Sequence, residues 1–307
     1  MSLSDRADAE SRIDRVGKYS HDEPLNFPHI EFPMYQSYWQ LDEKPFEAGC
    51  DPKFFFPGES HQAALLKLRY AVENRRGGAL LAGASGLGKT LLIRIMQSML
   101  AEQFAPLVHL VFPQMKADEL LAYLSDELTG ASDTREATPG VNHSVRRIQQ
   151  FLTDNAQKDR HAVAIVDEAQ LLTDPAVLDA LRLLQNFEVD GRPTLTLLLV
   201  GQNGLLTTLD VQSALEERLD VKCLLRPFSR SETAAYVNHR IQTAGATREL
   251  FSADALDRLH DLTQGIPRRI NRLADLALLI GFAEEFDSIS AEHLSSVQQE
   301  LVTVASQ

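Results

Sequence analysis

The sequence predicts an α/β fold in which a five-stranded parallel sheet lies between helices and is followed by a small all-helical domain. Five short apolar segments alternate with helical patterns over residues 79–225, which is typical of a parallel sheet with helices on both faces. After residue 228 the strand signals stop, and only helical patterns remain. We therefore predict an extension over 1–34, an α/β domain over 35–228 and a helical domain over 229–307.

The chain before the first predicted strand contains three different kinds of segment. Residues 1–34 are polar and charged without sustained periodicity, which predicts a flexible extension and no signal peptide. An aromatic segment follows, with Tyr38, Trp39 and Phe46 in its first part and Phe54 in its second. An amphipathic helix is predicted over 61–74.

The first predicted strand, residues 79–82, leads directly into a glycine-rich loop and a helix. The loop fits G-x-x-x-x-G-K-[ST] in full, ending in Lys89 and Thr90. Its glycines let backbone N–H groups turn toward phosphates, and the helix N-terminus favours negative charge. We expect Lys89 to reach the β- and γ-phosphates of ATP and Thr90 to be a ligand of Mg²⁺. The predicted nucleotide-binding residues are Gly83, Ala84, Ser85, Gly86, Leu87, Gly88, Lys89, Thr90 and Leu91. The alternative is a glycine-rich turn that merely starts a helix.

This loop gives the aromatic segment ahead of it two possible roles. Its rings pack over the nucleobase, or they only cap the hydrophobic core, and the sequence leaves both interpretations open.

A pair of carboxylates ends the third predicted strand. The second strand is predicted over 106–112, helices over 116–128 and 141–155 with a loop over 130–140 between them, and the third strand over 162–166. Asp167 and Glu168 follow this buried strand at the edge where ligands of open α/β sheets bind. We expect Asp167 to hold Mg²⁺ and Glu168 to be the general base for the attacking water. The alternative is a solvated strand end.

The remaining elements follow from capping and turn residues. Asp174 and Pro175 start a helix predicted to reach Phe187, and a turn over 190–193 leads into a strand over 194–200. A short helical region and a last strand over 221–225 complete the sheet. Four helices follow. The residues that mark their starts are Ser229 with Glu232, Ser252, the break at 265–267, and Ser290.

Composition limits the possible functions of this chain of 307 residues. An apolar fraction of 44% supports a sizeable core, and a net charge of −13 argues against a generic cationic nucleic-acid coat. Cys50 and Cys223 match no metal spacing and favour a reducing compartment, so we expect a cytoplasmic protein. No apolar run reaches the length of about 18–20 residues that a transmembrane helix needs.

The motif order resembles that of AAA+ ATPases, and in particular the ExeA/GspA-type ATPases of the general secretion pathway. These are related to the TniB/TnsC-like transposition ATPases and, more remotely, to the Orc/Cdc6 group. The resemblance covers about residues 35–300. The blocks that carry it are Tyr38…Pro45-Phe46, the phosphate loop, Asp167-Glu168-Ala169-Gln170, 181–188, 199–202, Glu232…Tyr236…Arg240…Ala244-Gly245 and Gly265-Ile266-Pro267-Arg268-Arg269-Ile270-Asn271.

The resemblance implies roles for three further polar residues. Gln202, with Asn203 as the adjacent alternative, stands at the position of sensor 1 and would orient the attacking water; otherwise it only caps a strand. Arg218 matches the arginine-finger region and would serve the nucleotide of a neighbouring subunit; otherwise it pairs with a neighbouring glutamate on the surface. Arg268 matches sensor 2; otherwise it is part of a basic helix start.

The resemblance also implies the activity. We expect a Mg²⁺-dependent ATPase that forms a homo-oligomeric ring or filament and acts on a secretion or envelope partner. The alternative is a nucleotide-switched DNA-binding adaptor that uses a stripe of basic residues, which the net charge does not favour. The stripe consists of Arg146, Arg147, Lys158 and Arg160. A third hypothesis is a non-catalytic scaffold that holds nucleotide for stability.

Overall fold

In a computed structural model of the protein, five parallel strands form one sheet. In chain order, the strands of this sheet and of a separate hairpin are β1 (Gly78–Ala82), β2 (Leu107–Leu110), β3 (Ala162–Val166), β4 (Glu188–Val189), β5 (Arg192–Pro193), β6 (Leu195–Gly201) and β7 (Val221–Leu224). The order in the sheet is β2-β3-β6-β1-β7, while β4 and β5 form a short antiparallel hairpin. The predicted five-stranded parallel sheet is therefore confirmed. Because β1 and β3 both pair with β6, the segments that follow them meet at one edge.

The structure describes residues 35–47, 49–130 and 140–305, with side chains up to residue 300. The extension predicted over 1–34 and most of the loop predicted over 130–140 lie outside these residues. The helices are α1 (Tyr35–Trp39), α2 (Glu59–Glu73), α3 (Lys89–Met99), α4 (Ala117–Thr129), α5 (Val141–Gln157), α6 (Pro175–Leu184), α7 (Gly204–Val211), α8 (Ser213–Glu216), α9 (Arg230–Thr243), α10 (Ala253–Thr263), α11 (Pro267–Ala283) and α12 (Ala291–Ala305).

Helices cover both faces of the sheet because both sides of its strands are apolar. Leu80 and Ala82 of β1 pack in a cluster with α4, α5, α6, α7 and α8. Ala79 and Leu81 point to the opposite face and pack with α2 and α3. The sheet is thereby the middle of three layers, and its carboxyl edge remains available for a site.

The four C-terminal helices form a second core with the aromatic segment that precedes α2. Trp39 is fully buried, and its Nε1 donates a hydrogen bond to the Leu278 carbonyl at 2.8 Å. The Phe54 ring lies 4.6 Å from the guanidinium of the buried Arg240, at cation–π distance. Phe46 belongs to the same cluster. Of the two interpretations of these aromatics, the structure supports core packing for Trp39, Phe46 and Phe54.

Two predicted elements end earlier than expected. The helix predicted to reach Phe187 ends at Leu184, because the backbone then tightens into i→i+3 turns, in which the amides of Asn186 and Phe187 donate to the carbonyls of Leu183 and Leu184 at 3.1 and 3.3 Å. The strand predicted over 106–112 ends at Leu110, and the next two residues are exposed. Among the described residues, no helix has the length and apolarity that crossing a membrane requires.

Candidate functional site

The glycine loop joins β1 to α3 in a conformation that other residues adopt with difficulty. Gly86 and Gly88 have φ values of +84° and +87°, in the left-handed region. A Cβ atom at Gly86 would also lie 2.9 Å from Cβ of Arg268. The loop then enters α3 at Lys89. The amide groups at a helix N-terminus have no intrahelical partner, so this entry is suited to an anion.

The Lys89 side chain is buried at the loop, and it forms no ion pair with a carboxylate of the residues that the structure describes. Its Nζ donates hydrogen bonds to the carbonyls of Gly83 and Ala84, at 2.9 and 3.1 Å. Burial lowers the pKa of the Lys89 amine below its ordinary value, and the charges of Glu168 and Asp167 offset this only in part. A buried cation with neutral partners gains most from an anionic ligand, such as a phosphate.

Two further donors hold carbonyl groups of the same loop. The His61 Nε2 atom lies 2.8 Å from the Leu87 carbonyl, and because a carbonyl only accepts, this nitrogen carries the proton. Burial lowers the pKa of His61, which favours the neutral ring. The amide of Arg268 donates to the Gly86 carbonyl at 3.2 Å. The loop is thus fixed from α2 on one side and from the start of α11 on the other.

Thr90 and Asp167 meet at the carboxyl edge of the sheet. The Thr90 hydroxyl donates to Asp167 Oδ2 at 2.9 Å, and Asp167 is buried with 3% exposure. Nε2 of His109 on β2 lies 3.8 Å from the same oxygen. Burial raises the pKa of Asp167, but the His109 ring, the Glu168 amide and the Thr90 hydroxyl outweigh it and hold this pKa below its ordinary value. Asp167 is therefore a buried, ionised carboxylate at neutral pH.

Glu168 adopts a backbone conformation that is uncommon outside glycine. Its φ and ψ are 50° and 35°, in the left-handed region, where strain often accompanies function. The Gln170 side-chain amide donates to Glu168 Oε2 through Nε2 and accepts from the Gln202 backbone N–H through Oε1, the latter at 2.9 Å. Glu168 thus lies beside Asp167 and is connected to the end of β6.

These residues fit Mg²⁺ with a nucleotide. Thr90 and Asp167 offer the oxygen ligands that Mg²⁺ prefers, and Lys89 offers a cation for phosphates. Within the described part of the chain, no group of three or more His, Cys, Asp and Glu side chains is placed to hold a metal by itself. This donor set is typical of Mg²⁺ that is shared between a few protein oxygens and substrate phosphates.

The predicted sensors lie on two sides of the loop. Gln202 follows β6 and has an exposed side chain, and Asn203 is the N-cap residue of α7 without a side-chain capping bond. Arg268 is exposed at the second position of α11, next to Gly86.

Arg218 lies at the opposite edge of the sheet. Its carbonyl is packed near Gly77, just before the start of β1, whereas the glycine loop follows the end of β1. Five residues of strand span roughly 16 Å, so Arg218 is remote from the loop of its own chain. The alternative of a glutamate partner is not seen: Glu216 pairs with Lys222 at 2.5 Å, and no ion pair of Arg218 occurs among the described residues.

The basic stripe considered for DNA binding is interrupted. The Arg147 guanidinium donates to Asp126 Oδ1 at 2.8 Å and to the Thr129 hydroxyl at 2.9 Å. Arg147 is therefore engaged in packing α5 against α4 and contributes little free positive charge.

No role of His61, His109 or Gln170 was predicted from the sequence. Gln170 lies in the DEAQ block, and His109 is a polar residue within a predicted strand. The position of Gln170 in this block and the polar character of His109 within a strand are visible in the sequence. The partner of each residue depends on sheet register and on loop geometry, which are not.

Comparison with known sequences identifies an AAA domain. Residues 72–209 match a family model described as AAA domain, and this range includes both the glycine loop and Asp167-Glu168. The chain is 35% identical over 252 residues to general secretion pathway protein A of Aeromonas hydrophila, which covers 81% of this chain and 45% of that protein. The chain thus spans a little under half the length of this relative.

Solved structures share the fold at low sequence identity. The ORC2 protein of Aeropyrum pernix (ADPNP-ADP complexes) has a TM-score of 0.62 at 16% identity, covering 84% of this chain and 72% of that one. Cdc6p of Pyrobaculum aerophilum has a TM-score of 0.66 at 17% identity, covering 85% and 71%. The Thermotoga maritima RuvB Holliday junction branch migration motor has a TM-score of 0.54 at 20% identity, covering 79% and 69%. The predicted resemblance to general secretion pathway protein A and Orc/Cdc6 proteins is therefore confirmed, and the solved structures establish the fold alone.

Proposed function

This chain is an AAA+ protein related to general secretion pathway protein A, and on that premise we propose that it binds and hydrolyses Mg²⁺–ATP. The observation that carries the proposal is the convergence of two predicted site segments, Lys89-Thr90 and Asp167-Glu168, at one sheet edge. The Thr90 hydroxyl contacts Asp167, Glu168 follows directly, and the buried Lys89 precedes Thr90 in the same helix turn.

Each residue of the site has its own task in the proposed reaction. Lys89 and the loop amides bind phosphate oxygens, and Thr90 and Asp167 hold Mg²⁺. When bound, Mg²⁺ neutralises charge on the phosphate oxygens. Glu168 takes the proton of the attacking water, and Gln202 or Asn203 orients that water. Arg268 neutralises phosphate charge from α11, which also relieves the cost of a cation at a helix N-terminus.

Assembly is part of the proposal because Arg218 is remote from the loop of its own chain. A homo-oligomeric ring or filament brings Arg218 of one subunit to the nucleotide of the next, where a cation stabilises transition-state charge. The relative's name supports a role in secretion, so we propose that hydrolysis drives assembly or remodelling of a secretion or envelope partner from the cytoplasmic side.

The first experiment measures ATP hydrolysis per subunit against protein concentration, with and without double-stranded DNA. Glu168→Gln is the control, since it keeps the site's shape and removes the base. Turnover that rises with concentration and disappears in Glu168→Gln supports shared active sites. Turnover that is equal in both proteins refutes hydrolysis at this site. Strong ATP-dependent stimulation by DNA that weakens with salt would favour the DNA adaptor over the secretion role.

A further inference from the structure

The Gln170 side chain occupies the space between the proposed base and the end of β6. Its Nε2 donates to Glu168 Oε2, and its Oε1 accepts the backbone N–H of Gln202 at 2.9 Å. Both ends of this amide are therefore bonded, which fixes its orientation: the carboxylate can only accept, and the backbone amide can only donate.

The end of β6 is shaped around this amide. A Cβ atom at Gly201 would lie 2.7 Å from Gln170 Oε1 and 3.2 Å from the Gln170 backbone nitrogen. The residue before Gln202 thus has to be small for the amide to reach the Gln202 N–H. Gln170 itself lies in the one-turn 3₁₀ helix Ala169–Leu171, directly after Glu168 in its left-handed conformation.

We propose that Gln170 is a positioning residue that holds the Glu168 carboxylate and couples it to the backbone at Gln202. This inference rests on the proposed function, because it assigns Gln170 a task only if Glu168 is the base. A displacement of the β6 end moves the Gln202 amide, the Gln170 side chain and the Glu168 carboxylate together. The state of the sensor-1 position is thereby communicated to the base through one side chain.

Two substitutions separate the two hydrogen bonds. Gln170→Glu keeps an oxygen for the Gln202 N–H but cannot donate to Glu168, and it places two carboxylates side by side. Gln170→Ala removes both bonds. If Gln170 positions the base, kcat falls about 10- to 100-fold in both variants, as for a misplaced catalytic group. The Kd for Mg²⁺ with a non-hydrolysable ATP analogue stays within about threefold, because Gln170 touches none of the predicted nucleotide ligands.

Hydrogen exchange provides a readout that does not depend on activity. The Gln202 amide should exchange faster in Gln170→Ala than in the wild type, whereas in Gln170→Glu it should remain protected. Gln150→Glu is the matched control, because Gln150 Nε2 also donates to a carboxylate, Asp154 Oδ1, at 2.8 Å, but on the exposed face of α5. Its kcat should equal that of the wild type.

A double substitution tests whether Gln170 acts through Glu168. In the Glu168→Gln background, Gln170→Ala should change residual turnover by less than about threefold, because residues acting as a unit are not additive. The proposal is overturned if Gln170→Glu keeps the kcat of the wild type. It is equally overturned if Gln170→Ala lowers turnover in the Glu168→Gln background by the same factor as in the wild-type background. It is also overturned if exchange of the Gln202 amide is the same in Gln170→Ala and the wild type. Absence of turnover in the wild type would refute the proposed function. Exchange of the Gln202 amide would still test whether the Gln170 side chain holds this amide.

Discussion

The Thr90 hydroxyl donates a hydrogen bond to Asp167 Oδ2 at 2.9 Å, although 77 residues separate the two in sequence. Thr90 is placed by α3 after the first strand of the sheet, and Asp167 by the end of β3. The two strands do not pair with each other, because β6 lies between them. Their meeting is therefore a consequence of the crossover topology, and it brings two oxygen ligands suitable for Mg²⁺ to one point.

This contact predicts a dependence of turnover on the Thr90 hydroxyl. Thr90→Ala removes one oxygen ligand, and we expect ATP hydrolysis to fall about 10- to 100-fold at limiting Mg²⁺. Excess Mg²⁺ should recover part of the loss. Thr90→Ser keeps the hydroxyl and should remain close to the wild type. The measurement is the hydrolysis rate as a function of Mg²⁺ concentration, and equal Mg²⁺ dependence in Thr90→Ala and Thr90→Ser would contradict the assignment.

The remote position of Arg218 predicts complementation between two inactive proteins. Arg218→Ala should bind nucleotide normally but lose the increase in turnover with concentration, and Glu168→Gln should lose hydrolysis. In a one-to-one mixture, about a quarter of head-to-tail interfaces combine an intact Glu168 with an intact partner arginine. Activity should therefore reappear on mixing, measured as phosphate release. A mixture as inactive as its components would show that Arg218 does not act between subunits.

Much of the fold was predictable because local patterns and the final packing agree. The apolar run over 162–166 is the buried β3, and the Ser229–Glu232 capping box starts α9 as expected. The helix start at Asp174 is also seen, with its side chain accepting the Ala176 amide at 2.9 Å. In each case the decisive interaction lies within a few residues along the chain.

The features of the site and core that were not predicted from the sequence depend on contacts between residues that are distant along the chain. His109 approaches Asp167 because β2 pairs with β3 in one particular register. Gln170 reaches the Gln202 amide because the chain turns sharply at Glu168. The packing of Trp39 on Leu278 spans most of the chain. Hydrophobic periodicity carries no information on such pairs, so the sequence predicted residue types at the site better than their partners.

The buried His161 predicts acid sensitivity of the fold. Burial, together with the charge of Arg75, lowers the pKa of His161 from 6.5 to about 4. Its Nε2 bonds the Thr196 hydroxyl at 2.8 Å, while Nδ1 is buried without a hydrogen-bond partner in the described structure. Between these pH values the unfolded chain binds a proton that the folded chain does not, so the free energy of unfolding falls as the pH falls.

The size of this effect follows from the two pKa values. At pH 5, His161 should lower the free energy of unfolding by about 2 kcal/mol relative to pH 8. His161→Gln removes the titrating group, so its stability should fall less steeply over the same range. Urea unfolding of both proteins at several pH values measures the difference. Parallel curves would show that His161 does not control acid sensitivity.

The surroundings of Gly265 predict that adding a single methyl group at this position lowers the free energy of unfolding. It lies between α10 and α11 with φ of +67°, and a Cβ atom there would lie 2.0 Å from the Phe228 carbonyl oxygen. The Phe228 amide also donates to the Gly265 carbonyl at 2.9 Å. Since the left-handed conformation and the backbone clash both oppose a side chain, Gly265→Ala should lower the free energy of unfolding by about 2–4 kcal/mol.

The control for this prediction is Gly204, the first residue of α7. A Cβ atom there meets no atom within 4 Å, and its φ is not in the left-handed region. Gly204→Ala should therefore be neutral, or stabilise by up to about 1 kcal/mol through the higher helix propensity of alanine. Urea unfolding of Gly204→Ala and Gly265→Ala should give clearly different free energies of unfolding.

Because Arg268 is only three residues beyond Gly265 and its amide donates to the Gly86 carbonyl, Gly265→Ala should also weaken nucleotide binding. Unchanged stability and unchanged affinity in this variant would show that the contact of Gly265 with Phe228 does not fix the start of α11 against the glycine loop.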